Sequence, residues 1–164
     1  SQAELRDTLR RQLDQFIEVC SQMGVVPLHV KGHGALYHAC NQRTLEADVL
    51  IEVLMMYGCE FKLLVAPNSI LLDKLASVST IHPRVESFVD RRYTSDLHLV
   101  PRDQPRAVIE DTNEAYQQYL SLNKGSVETI TGKMQTLNSD TTCVHGDNPS
   151  SLEIVKKIHV CTEI

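Results

Sequence analysis

The stretch Leu28-His29-Val30-Lys31-Gly32-His33-Gly34-Ala35-Leu36-Tyr37 decides how the rest of the chain is read. An apolar run of strand character stops at Gly32-His33-Gly34 and helix formers follow at once. Two imidazoles, an ammonium and two glycines therefore collect where a strand hands over to a helix. In α/β proteins ligands bind at such junctions, at the carboxyl ends of the strands. Glycines flanking His33 let the backbone come close to a ligand, and the N–H groups that open the following helix favour an anion.

Outward from this turn, apolar strands alternate with helical patterns. Upstream, Ser1-Gln2-Ala3-Glu4 has capping-box form, and Leu5, Leu9, Leu13, Phe16, Ile17 and Cys20 follow at helical spacing, which predicts an amphipathic helix ending near Gly24. Residues 25–31 then read as a first buried strand. Downstream, a short helix is predicted over 35–40, and a helix apolar nearly all round over 45–57, with Met55 and Met56 as core. A second strand spans 61–66, a helix capped by Asn68 or Ser69 runs from Ile70 to Ala76, and a third strand covers 84–89. A charged loop follows from Asp90 past Pro105 and reads as a surface excursion or a functional lid, its charge density favouring the lid. A helix from Asp111 to Leu122, a hairpin about Thr131-Gly132, a last strand over 141–144 and a helix over 150–158 complete the pattern. Alternation of this kind predicts an α/β domain whose strands are mostly parallel and covered by helices.

Composition narrows the function. At 164 residues one domain is the default, and Lys+Arg 16 against Asp+Glu 21 leaves a net charge of −5, without the basic footprint that nucleic-acid binding needs. No run is apolar enough to span a bilayer, so neither nucleic acid nor membrane is an expected partner. Cys20, Cys40, Cys59, Cys143 and Cys161 form no Cys-x-x-Cys pair and lie mostly in apolar surroundings, which reads as reduced, buried thiols in a cytoplasmic protein.

Three of the four strands end in ionisable residues. Lys31 and His33 close the first, Glu86 and then Asp90 and Arg91 the third, and His145 and Asp147 the last. The carboxyl ends of parallel strands lie on one side, so these groups are expected to line one pocket. A carboxylate such as Glu86 inside a buried strand needs a partner, for which Arg91 or Lys31 is available. Asp147 also reads as a helix cap, Asp90 with Arg91 as a surface ion pair, and His29 as a hydrogen-bonded core histidine. His38, His82, His98 and His159 read as surface residues. No metal-ligand spacing is present and no metal site is expected.

These residues fall in motifs that resemble a known family. His29 to Tyr37 is similar to the His-Val-Lys-Pro-His-Gly-Ala-Leu-Tyr motif of the LamB/YcsF family. Glu86-Ser87-Phe88-Val89-Asp90-Arg91-Arg92-Tyr93 resembles its Glu-x-Phe-Ala-Asp-Arg-x-Tyr segment. Leu99-Val100-Pro101-Arg102 and Ala107-Val108-Ile109 follow at matching spacing, and Cys143-Val144-His145-Gly146-Asp147-Asn148-Pro149 is similar to Cys-Val-His-Gly-Asp-x-Pro.

The resemblance implies a distorted β/α barrel of the glycoside hydrolase and deacetylase kind, here a single domain over 1–164 that forms the C-terminal portion and lacks the first strands. It implies the A-type subunit of an ATP-dependent 5-oxoprolinase, opening a small lactam, 5-oxoproline, to glutamate with ATP and with B- and C-subunit-like partners. Catalysis then falls to Lys31, His33, Glu86, Asp90, His145 and Asp147. Lys31 and Arg91 would neutralise negative charge, and His33 or His145, oriented by Asp147 or Asp90, would move protons. Substrate or phosphate binding falls to His29, Gly32, Gly34, Tyr37, Arg91, Tyr93 and Arg102. The rival readings are a metal-dependent deacetylase or amidohydrolase, and a non-catalytic binding or assembly partner.

The chain departs from the family pattern at Gly32, where the family has proline, and at Leu97 and Arg106, where it has glycine. One turn is thereby relaxed and two are crowded. Four strands and a hairpin cannot close a barrel of this type, which takes about seven or eight strands. The chain alone is therefore expected to be inactive, with an edge near Val25, Val26, Leu63 and Leu64 covered by another chain or by a homo-oligomer.

Overall fold

The computed structural model describes residues 1–162. They form two compact units, Ser1–Val65 with Ser69–Arg84, and Ala66–Asn68 with the chain from Val85 onward. Among them no helix is long and apolar enough to cross a membrane.

The first unit opens on α1 (Gln2–Gln22), where the Ser1 side chain accepts from the Glu4 backbone and the Glu4 carboxylate takes the Ser1 ammonium, so the capping box forms as the sequence predicts. After α2 (Ala35–Gln42), α3 (Thr44–Met55) buries Ala47, Val49, Leu50, Ile51, Val53 and Leu54 against α1 and α2. Met55 and Met56 are exposed, contrary to the expectation of core, because the buried stripe of α3 ends one residue before them. β1 (Phe61–Val65) buries Phe61, Leu63 and Val65, and Ser69 caps α4 (Ile70–Leu75) by accepting from Leu71 N at 3.1 Å.

Residues 25–31 do not form the expected strand. Only Val30 pairs, in parallel with Leu63, through Val30 N to Lys62 O at 2.8 Å and Leu64 N to Val30 O at 2.9 Å. A strand exists by its pairing, and Val25, Val26 and Leu28 lie exposed. Leu63, expected at an open edge, is fully buried.

The chain enters the second unit along β2 (Ile81–Phe88). β2 pairs in parallel with β5 (Thr141–Cys143), in the register Glu86 with Thr141, Ser87 with Thr142 and Phe88 with Cys143. The β2–β5 pairing and the Val30–Leu63 bridge are each parallel, and helices flank these segments, as the α/β pattern requires. α5 (Thr112–Asn123) starts at Asp111, whose carboxylate accepts from Glu114 N at 2.8 Å, and packs on α6 (Ser151–Thr162). β3 (Ser126–Glu128) and β4 (Met134–Thr136) make the predicted hairpin.

The charged loop 90–110 is folded on itself. Arg92 N donates to Ala107 O, Val100 N to Arg92 O and Ile109 N to Asp90 O, around a Tyr93 that is completely buried. Its two tight corners are Leu97 (φ 60°) and Arg106 (φ 64°), so both positions where the family pattern has glycine adopt the left-handed backbone that glycine favours. A side chain there costs about 1–2 kcal/mol, of which glycine's extra chain entropy returns about half. Arg106 is exposed. Arg106→Gly is therefore expected to stabilise the chain by about 0.5–1 kcal/mol, raising the melting temperature by roughly 2 °C. A calorimetric melt that falls instead would show that the corner carries no strain.

The cysteines are all free among the described residues, Cys20 and Cys40 buried, Cys143 partly so. Burial, with the nearby Glu46 charge, pushes the Cys40 thiol up to about 11, which makes it inert. Cys59, in the bend between α3 and β1, and Cys161, near the end of α6, are exposed, unlike the buried thiols expected.

Candidate functional site

In the second unit the chemistry is built at the end of β2. Burial rises along this strand to Glu86, Ser87 and Phe88, and the chain turns through Val89 and Asp90, both with no exposed surface. A buried carboxylate is tolerated only if donors surround it. Asp90 has three. His145 donates to it from its backbone N at 3.1 Å and pairs with it through the ring Nδ1 at 2.9 Å, and Asn148 donates from Nδ2 at 3.2 Å. A carboxylate only accepts, so Nδ1 of His145 carries the proton and Nε2 is left as the basic nitrogen. The imidazole lies flat against the Phe88 ring, with centroids 5.1 Å apart and planes 14° apart, and keeps about a quarter of its side chain exposed. This is a histidine with one face, one tautomer and one orientation, the form in which imidazole transfers protons.

Two residues that the sequence reading did not single out hold this arrangement. Asn148 is buried; its Nδ2 also donates to Ile109 O at 2.9 Å while its Oδ1 accepts from Ser150 N at 2.9 Å, so the amide cannot flip and its donor end faces Asp90. Asn148, not Asp147, thereby makes the turn into α6; an Asn before Pro149 at a helix start was the available signal. Gln118, on α5, donates from Nε2 to three carbonyls of the turn, Phe88 O at 2.8 Å, Val89 O at 3.0 Å and Arg91 O at 2.8 Å. Nothing in its sequence context marks it.

The other expected site residues of this unit fall around the pair. Glu86 is 2% exposed. The Tyr93 hydroxyl accepts from Phe88 N at 2.7 Å; burial first, then the Glu86 charge, drives its phenol far up from the usual range. Asp90 and Arg91 are not the surface pair anticipated, since both are buried. Arg91 donates to Val100 O at 2.6 Å. Asp147 does not orient the histidine. Its carboxylate takes both arms of Arg102, at 2.5 and 3.3 Å, and that hydrogen bond holds it well below the ordinary carboxylate range.

Lys31 and His33 lie in the first unit, with His29, Gly32, Gly34 and Tyr37. His29 is exposed, not a core histidine, because 25–31 is unpaired on one side. His29, Lys31, Gly32 and His33 border a cavity of about 560 Å³ that is also lined by Leu9, Gln12, Leu13, Phe16 and Ile17 of α1. Lys31 Nζ stands 5.7 Å from the centroid of the Tyr37 ring. Gly34, at φ 55°, is the N-cap of α2 and brings no side chain to the first N–H groups of that helix. At Gly32 an added Cβ would lie 3.2 Å from Tyr37 Cα, so the family's proline would fit only tightly here. Of the histidines expected on the surface, His38, His82, His98 and His159 are all at least partly exposed. Among the described residues no three His, Cys, Asp or Glu side chains come together as a metal site would require.

A parallel α/β chain with an oriented imidazole at its strand ends is the class that fold and site define. The chain belongs to the LamB/YcsF family, whose model matches residues 1–163. Among its relatives are proteins named as the A subunit of 5-oxoprolinase, from Haemophilus influenzae (strain PittEE), 36% identical over 159 residues, and from Pyrococcus abyssi, 37% identical over 161 residues. The matches take in 96% and 98% of this chain and 64% and 63% of those relatives, so the chain spans just under two thirds of their length. The crystal structure of the lactam utilization protein from Thermus thermophilus superposes with a TM-score of 0.87 at 24% identity, over 99% of this chain and 66% of that one, a likeness of fold.

Proposed function

We propose that this chain acts as part of the A-type subunit of a 5-oxoprolinase, in a distorted β/α barrel, opening the lactam ring of 5-oxoproline to glutamate with ATP and with B- and C-type subunits. The observation that carries the reading is the Asp90–His145 pair, standing in motifs of a family whose relatives bear that name. A lactam is a poor electrophile, and hydrolysis must deliver a hydroxyl to its carbonyl carbon and a proton to its ring nitrogen. His145 Nε2 takes the proton from the attacking water and returns it to the departing nitrogen, while Asp90 holds the imidazolium between the two transfers.

ATP, when bound, would supply the phosphoryl group that activates the amide oxygen, with ADP as the leaving group and a second water releasing that group as inorganic phosphate after the ring opens. The first unit fits a phosphate: the Gly32-His33-Gly34 turn leads into uncapped N–H groups of α2, and Lys31 lies beside it with His29 and His33 on the same cavity. Lys31 would neutralise charge on a phosphate held at that turn.

Assembled with B- and C-type subunits, the chain is expected to open 5-oxoproline only when ATP is present, and Lys31→Ala to lower turnover by a factor on the order of a hundred or more, the usual cost of losing a charge-stabilising donor. Full turnover without nucleotide, or in the variant, would overturn the assignment.

A further inference from the structure

Two guanidinium groups of the second unit, Arg91 and Arg102, are not explained by the proton-transfer pair. Arg91 is 3% exposed, and among the described residues its Nε is a buried donor with no acceptor. A charged donor left unfilled in the interior is costly, and where one persists a ligand or solvent commonly fills the need. Burial first, then the Arg102 charge, pulls the Arg91 guanidinium down from its ordinary range, so the two cations feel one another. Nearby Asp90 is already taken by His145 and Asn148. That leaves Asp147, which closes the Arg102 fork with two hydrogen bonds, the bidentate pairing in which arginine reads a carboxylate. Its side chain is 64% exposed and it follows Gly146, beside which space is open, so this carboxylate can leave without disturbing the core. An exposed pair of this kind holds weakly.

We propose that Arg102, backed by the charge of Arg91, is the carboxylate-recognising residue of this site, and that Asp147 is an internal stand-in which the carboxylate of the ligand displaces. The inference rests on the lactam reading above and gives it a substrate class: cyclic amides that carry a carboxylate on the ring, in preference to the same ring without one. Asp147 then acts by lowering affinity for weak carboxylates, since each must outcompete it.

The test follows the arginine Nε–H resonances of the isotope-labelled chain, with 5-oxoproline, 2-pyrrolidinone, L-glutamate and inorganic phosphate as probes. The expected result is a shift of the Arg102 resonance by 5-oxoproline and little by 2-pyrrolidinone. Asp147→Asn should bind 5-oxoproline roughly threefold to fivefold more tightly, the scale of an exposed ion pair. Arg102→Gln should weaken binding about tenfold or more, and Arg102→Lys, which keeps the charge but not the fork, should recover little of it. Equal binding of both lactams, a response to phosphate alone, or unchanged or weaker binding by Asp147→Asn would overturn the proposal. If glutamate shifts the resonance and 5-oxoproline does not, the carboxylate seat stands and the lactam reading falls.

Discussion

Turnover of 5-oxoproline by the assembled enzyme is expected to fall by a factor of about 10²–10⁴ in His145→Gln, the range that a positioned general acid–base contributes. Glutamine reaches a similar distance and can lie against Phe88, but it neither takes up nor releases a proton. Asp90→Asn tests the same pair from its other end. The Asn side chain presents a donor where His145 Nδ1–H needs an acceptor, which favours the wrong tautomer or turns the ring away from its 2.9 Å contact. Residues that act as one unit do not lose activity additively, so the double variant should be little worse than either single one. If His145→Gln keeps more than about a tenth of the activity, the proton-transfer role is wrong. If the two losses multiply, the residues work separately.

The largest expected effect on stability lies outside the chemistry, at Gln118. Its one amide group supplies two hydrogens to three buried carbonyls, at 2.8, 3.0 and 2.8 Å. Truncation to alanine strands those oxygens away from water, at about 1–3 kcal/mol for each that finds no substitute. Gln118→Ala should therefore cost about 2–4 kcal/mol, lowering the melting temperature of the transition that reports the second unit by roughly 5–15 °C. Gln118→Glu preserves the volume and points a carboxylate at the same oxygens, so it should fare no better. A melt within a degree of the parent for Gln118→Ala, or rescue by glutamate, would show that packing and not donation is what the residue supplies.

Much of the local structure could be read directly from residue order, because caps and periodicity are local. Ser1 and Glu4, Ser69 and Asp111 mark helix starts where the helices begin. What failed depended on partners. Residues 25–31 have the composition of a strand, yet only Val30 meets a neighbour, and β propensity without a second strand fixes nothing. An all-round apolar α3 does not disclose where its buried stripe stops, and so its pattern hides the exposure of Met55 and Met56. Glu86, Asp90, Arg91, His145 and Asp147 were legible as ionisable residues at strand ends, but not their pairing. Asp90 and Asp147 are equal candidates on paper; burial separates them, since the first is enclosed with the imidazole and the second stands in solvent on Arg102. Gln118 resembled any polar residue on a helix face.

The contacts that give Asp90 its surroundings are far apart along the chain. Gln118 reaches back 27 to 30 positions to hold the turn, and His145 and Asn148 reach back 55 and 58 to hold the carboxylate. Each such contact closes a long loop, and its entropy is recovered only when the intervening segments are in place. β2 can be complete, and its strand end correctly shaped in outline, while Asp90 still faces no imidazole. During synthesis the pair comes into being only after His145 has emerged and β5 has docked beside β2, which makes the oriented imidazole one of the last features this part of the chain acquires.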